Sequence, residues 1–191
     1  LTNRVRKTKP LVSFTIDDGG IHDYQSILPL FKSKGIKATS AIVANAIGVG
    51  EYGMTVAQAL ELQNVHGWEI ASHGLDHSNM TIPNLTLLSD AELLAETKTA
   101  KEKLIAMGFD VKNYQVPYGF TDDRVMAYCR RYYRCARVSG AGVISPTNIS
   151  PINTYRLNSI VLGDSIGTDQ PIEPVSGFKY DTLDYYKYYV D

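Results

Sequence analysis

The chain is poor in cysteine, with two in 191 residues. Cys129 and Cys135 form neither a CxxC pair nor the four-ligand spacing of a structural zinc site. A disulfide-built scaffold is therefore excluded. The pair can be two free thiols or one disulfide, and free thiols are the preferred reading. No apolar run approaches the ~20 residues of a membrane-spanning helix, and no secretory core appears at the start. Charge of one sign is not in excess: 19 basic against 20 acidic side chains leave a net charge of −1. That balance lacks the basic field of a nucleic-acid binder and the acidic tail of a partner for basic proteins. Histidine is scarce too, with four residues and none after His77. Internal repeats and low-complexity tracts are missing.

What is present is ordinary for one globular domain: 44% hydrophobic and 20% charged residues, and enough chain for a sizeable core. The opening ten residues are polar and basic, start without Met, and read as a linker or cut end from which a leader or preceding domain was removed. Beyond them, strand-like and helix-like segments alternate. Strands are expected at 11–16, 36–43, 68–72, 113–116, 135–138 and 157–162. Helices are expected over 24–34 with Pro29 near its start, and over 55–65 behind a Thr55/Gln58 capping box. Others are expected from a Ser89/Glu92 box to a Gly108 C-terminal stop, over 122–131 capped by Thr121, and over 182–190. Strand–helix alternation argues for a parallel sheet with right-handed crossovers. Tyrosine is plentiful at 13 residues, and Tyr24, Tyr52 and Tyr118 are candidates for a surface that stacks a ligand.

The stretch Leu11–Gly20 organises the rest. An apolar, β-prone run ends in Asp17 and Asp18, and Gly19-Gly20 follows at once. Two carboxylates at the tip of a buried strand repel and lose hydration, which is costly unless a cation sits there or one holds a proton. The plain alternative is that the pair only starts a turn, for which Asp-Gly is a common signal. A second stretch, Ser72-His73-Gly74-Leu75-Asp76-His77-Ser78, also follows a strand. Its histidines lack the glutamate that a zinc-protease helix needs after the first histidine, so they read as a strand-end loop. Two imidazoles and a carboxylate would complete three protein ligands of a catalytic metal.

These two stretches, with Val116-Pro117-Tyr118-Gly119, resemble the first three motifs of the polysaccharide deacetylases, the NodB-homology group or carbohydrate esterase family four. Residues 30–39 also resemble the first helix and second strand of that family, and the match runs from about residue 11 to the end. The resemblance implies a distorted (β/α) barrel, with residues 11–191 as the catalytic domain. It implies Asp18, His73 and His77 as metal ligands and Asp17 as the base for a metal-bound water. The backbone N–H of Tyr118 becomes an oxyanion donor, and Pro117, Tyr118 and Gly119 meet the substrate. Zinc is the expected cofactor, with cobalt or nickel as alternatives. The implied partner is an acetylated glycan, and the implied setting is extracellular or at the cell surface.

Three departures accompany the match. Members of the family often carry an Arg two positions before the Pro of the third motif, where it orients the base; here that residue is Gln115. The usual fourth motif is not recognisable, although Asn153–Leu157 resembles the branch acting on extracellular poly-N-acetylglucosamine. The late His that supplies the general acid is missing, so the domain reads as lacking its last strand. Intact-mass analysis of the native product checks that reading. His22 is the spare histidine for the role otherwise, although it reads more simply as a helix-start residue, and His66 as a surface residue at a helix end. Two rival functions remain open from the sequence: an O-acetyl esterase, and a glycan-binding module that keeps the metal loop without turnover.

Overall fold

A computed structural model describes residues 13–77 and 84–138. The expected strand at 157–162, the helix at 182–190, the opening linker and the stretch at 153–157 lie outside the described residues.

Five short strands form one parallel sheet: β1 (Thr15–Ile16), β2 (Thr39–Ile42), β3 (Glu69–Ser72), β4 (Tyr114–Gln115) and β5 (Ala136–Arg137). Their spatial order is their chain order. With right-handed crossovers, an unbroken order of this kind puts every connecting helix on the same face. That is the wound arrangement of a (β/α) barrel, and among the described residues it stays open as a half-barrel. The expected fold class is thus borne out.

The helices are α1 (Leu28–Ser33), α2 (Val56–Asn64), α3 (Asp90–Leu94), α4 (Ala100–Ala106) and α5 (Asp123–Tyr132). Both capping boxes form as read, Thr55 with Gln58 and Ser89 with Glu92. Gly108 follows α4 with φ +99, the left-handed stop that its position predicts. The core lies between the sheet and these helices. Ile42 and Ile70 of the central strands are fully buried, as are Ala59 and Leu62 of α2, Leu93 and Leu104 of α3 and α4, and Val125, Met126 and Cys129 of α5. Phe14, Phe31 and Trp68 close one end, with ring centroids 5.1 and 5.9 Å apart in sequence. Both cysteines are free.

Pro29 lies at the start of α1, as expected, and a wide turn (Asp23–Ile27) runs directly into that helix ahead of it. Proline cannot donate the regular i→i−4 bond, and a π-type turn is one way for the chain to carry it within a helical stretch. The cap of α5 is Asp122 rather than Thr121: its Oδ1 accepts the Val125 N–H at 2.8 Å. A second π turn (Ala95–Thr99) joins α3 to α4 and buries Glu96 and Thr97. Along this continuous stretch Leu93 and Leu104 are buried, whereas Leu94 and Ile105, each one residue further round, face outward.

Candidate active site

The residues of the three motifs sit at or just beyond the C-terminal ends of strands, where parallel α/β folds build their sites. β1 ends at Ile16 and delivers Asp17 and Asp18. β3 ends at Ser72 and delivers His73 and, four residues on, His77. β4 ends at Gln115 and leads into Pro117-Tyr118-Gly119. The lateral order β1-β2-β3-β4 brings these tips to one rim.

Asp18, His73 and His77 converge. Asp18 Oδ1 lies 3.4 Å from each of the two Nε2 atoms, and these are 3.1 Å from one another. A tetrahedral ion with arms of ~2.0–2.2 Å has donor atoms about 3.3–3.6 Å apart. The two edges to Asp18 match that length and the edge between the imidazoles is slightly shorter, and two imidazole nitrogens with one carboxylate oxygen form a donor set for a divalent transition metal. The tautomer fits too. His73 Nδ1 is 2.9 Å from the Gln115 carbonyl oxygen, which can only accept, so Nδ1 carries the hydrogen and Nε2 keeps its lone pair.

The protonation states lean the same way. A hydrogen bond from His73, made only when Nε2 also carries a proton, is the main cause holding the Asp18 carboxyl below its ordinary value, against the opposing effect of burial; a bound cation would stand in that proton's place. Burial, and then the neighbouring His73, push the His77 imidazole down. Carboxylate and neutral imidazole are the forms that ligate a metal.

Backbone strain concentrates here as well. Among the described residues, three that are not glycine have positive φ: Asp18 (+76), His77 (+58) and Tyr118 (+56). All three belong to the site, and each left-handed residue costs about 1–2 kcal/mol. Neighbouring contacts hold them. The Asp turn is clamped by the loop before α2, through Ile21 N–H to Tyr52 O at 2.8 Å and Met54 N–H to Gly19 O at 3.3 Å. The Tyr118 ring lies against His77, with centroids 4.6 Å apart.

The two acids have different partners. Asp17 accepts from Arg137 Nη2 at 2.5 Å, whereas Asp18 meets the two histidines. Arg137 belongs to β5, where it is the register partner of Gln115 on β4. A guanidinium that reaches Asp17 thus lies one strand over from position 115. Sequence reading missed this residue because its partner lies 120 positions away; the available signal was an Arg inside a short apolar strand. Asp18 and Gly19 do form a turn, so the turn signal is real, but Asp18 also belongs to the ligand cluster and the pair does more than start that turn.

Behind the rim, Asp23 is buried and accepts from Ser40 Oγ at 2.5 Å. Burial pushes its carboxyl up to about 6, with Asp18 and Asp17 adding to the rise. The structure leaves the other sequence candidates outside the cluster. His22 is exposed at the entry to the first helical stretch, and His66 contacts Glu61 at 3.4 Å. Tyr24 donates to Glu61 at 2.6 Å, while the Tyr52 ring stands 72% exposed beside the Asp turn.

The protein-family model for "Polysaccharide deacetylase" matches residues 4–133. The Bacillus subtilis (strain 168) protein named "Putative polysaccharide deacetylase YxkH" is 28% identical over 116 residues, covering 61% of this chain and 40% of that protein. The chain therefore spans less than half the length of this curated relative. Among solved structures, the Streptococcus pyogenes deacetylase PplD in complex with acetate superposes with a TM-score of 0.68 at 24% identity, covering 81% of this chain and 65% of PplD. IcaB from Ammonifex degensii reaches 0.63 at 21% identity, covering 78% and 68% respectively. These two likenesses are of fold.

Proposed function

Because this chain belongs to the polysaccharide deacetylase family, we propose that it is a metal-dependent hydrolase removing N-acetyl groups from an N-acetylglucosamine-containing glycan. The observation that carries the reading is the Asp18–His73–His77 triangle with the Asp17–Arg137 pair beside it. An amide carbonyl is a poor electrophile and needs polarisation, an activated water and a stabilised oxyanion together. A divalent ion held by Asp18, His73 and His77, with zinc favoured by the donor set and cobalt or nickel as alternatives, supplies the Lewis acidity.

The chain's own residues do the rest. Asp17 is the general base for the attacking water, and Arg137 fixes the orientation of its carboxylate. The Tyr118 backbone N–H donates to the developing oxyanion, and Pro117, Tyr118 and Gly119 form the adjoining wall for the acetylated sugar. Acetate, which the structurally similar PplD holds, is the product this reaction releases. A polymeric glycan substrate implies an extracellular or cell-surface setting. Among the described residues no helix is long and apolar enough to cross a membrane.

Acetate release from N-acetylglucosamine oligomers with zinc supplied tests the reading. Asp17→Asn is expected to lower turnover about 10²–10⁴-fold while retaining stoichiometric zinc. Absence of release by the wild type with zinc bound would sink it and favour a glycan-binding module. Release from O-acetyl sugars alone would make the protein an esterase.

A further inference from the structure

The histidine loop is gripped from two sides. On one, the N–H groups of Ala44 and Asn45 donate to the carbonyls of Gly74 and Leu75, at 3.0 and 2.9 Å. On the other, the Leu75 N–H donates to Glu96 Oε2 at 2.9 Å and the Asp76 N–H to Glu96 Oε1 at 3.1 Å. Both oxygens of one side chain are thus spent on consecutive amides of the segment between the two histidines. Glu96 is 5% exposed and is turned inward by the π turn between α3 and α4. The shape of the loop is matched to it. A Cβ at Gly74 would lie 2.3 Å from Glu96 Oε2, so a side chain at 74 and this carboxylate exclude one another.

The two histidines are not placed in the same way. His73 directly follows β3, is 2% exposed, and has its ring fixed by the Gln115 carbonyl. His77 hangs at the far end of the loop in a left-handed conformation, φ +58. Its distance from His73 and Asp18 therefore depends on the path of residues 74–76. That path bends at Gly74, φ +90. Two backbone amides pointing at one buried oxygen pair define such a bend, as amide nests do around anions.

We propose that Glu96 is a positioning residue for the metal centre: its carboxylate holds the Gly74–Asp76 backbone in the bend that brings His77 Nε2 to Asp18 and His73. The proposal rests on the reading of Asp18, His73 and His77 as metal ligands. Glu96 is not among the clustered ligand residues and meets the backbone between two of them, so it acts on where a ligand stands. Replacing it by glutamine keeps size and burial, but one amide then faces an NH₂ group instead of an acceptor.

The test compares wild type with Glu96→Gln on the full chain, using zinc alone as probe. Affinity is read by competition with a chromophoric chelator, and geometry by the visible spectrum of the cobalt form. Metal-free hydrogen exchange is read at the Leu75 and Asp76 amides. Outer-shell partners are typically worth about 10–100-fold in metal affinity. We expect a loss of that size in Glu96→Gln, an altered cobalt spectrum, and faster exchange at the two amides. Slow exchange of both amides in metal-free wild type is expected as well, and this readout needs no folded variant. Zinc affinity within twofold of wild type, or wild-type amides exchanging like exposed loop amides, would overturn the proposal. Failure of the wild type to bind zinc would instead sink the metal reading on which it stands.

Discussion

Removing Arg137 tests whether a residue on β5 has taken over the task of orienting the base. The guanidinium reaches Asp17 at 2.5 Å, with side-chain exposures of 20% for Arg137 and 38% for Asp17. A hydrogen bond between charged groups is worth about 1.5–3 kcal/mol, and a partly exposed carboxylate belongs at the lower end. Through the transition-state relation, about 1.5–2 kcal/mol corresponds to roughly 10–30-fold in rate. Arg137→Ala is therefore expected to lower kcat for acetate release by about that factor. Zinc content should stay at the wild-type level, since Asp18, His73 and His77 form the ligand cluster without it. Arg137→Lys should recover only part, because an ammonium lacks the planar fork. Gln115→Arg in the Arg137→Ala background is expected to restore activity in part, because the two positions are register partners on adjacent strands. Arg137→Ala with kcat within twofold of wild type, at unchanged zinc content, would refute the argument.

Two further outcomes concern stability. Asp23 titrates at about 6 in the fold against an ordinary 3.8, with burial as the first cause. The native state then keeps a proton that the unfolded chain has released, so this group favours folding below about pH 4. The advantage fades as pH rises through 6, by about 3 kcal/mol in total. Metal-free Asp23→Asn should thus gain on wild type between pH 4 and 7 in urea unfolding; a pH-independent difference would exclude the effect. Gly19→Ala meets Ile42 Cγ1 at 3.0 Å and Ile42 Cα at 3.3 Å with φ +67, whereas Gly35→Ala has φ +66 and open space around it. Both pay about 1–2 kcal/mol for left-handed backbone, so thermal unfolding should show Gly19→Ala as the weaker protein. Equal Tm values would show that the turn absorbs the contact.

Much of this protein is written locally. The Thr55/Gln58 and Ser89/Glu92 boxes, the Gly108 stop and the strand-ending Asp17-Asp18-Gly19 each involve residues within about four positions of one another. Interactions of that range depend on spacing along the chain and little else. For the same reason, His73 and His77 could be singled out together. The alternation of strand and helix then predicts a parallel sheet, and with it a shared rim for the strand tips. The one misread cap was a local competition, Asp122 against Thr121. Arg137 and Glu96 were of another kind. Arg137 meets Asp17 across 120 positions, and Glu96 meets Leu75 across 21. No spacing rule links such pairs. The first exists because β4 and β5 pair in the register that sets Gln115 beside Arg137, and the second because a π turn rotates Glu96 inward beneath a glycine that leaves it room. The sequence by itself determined which groups gather at the rim; strand register and helix phase decided which of them hold the others in place.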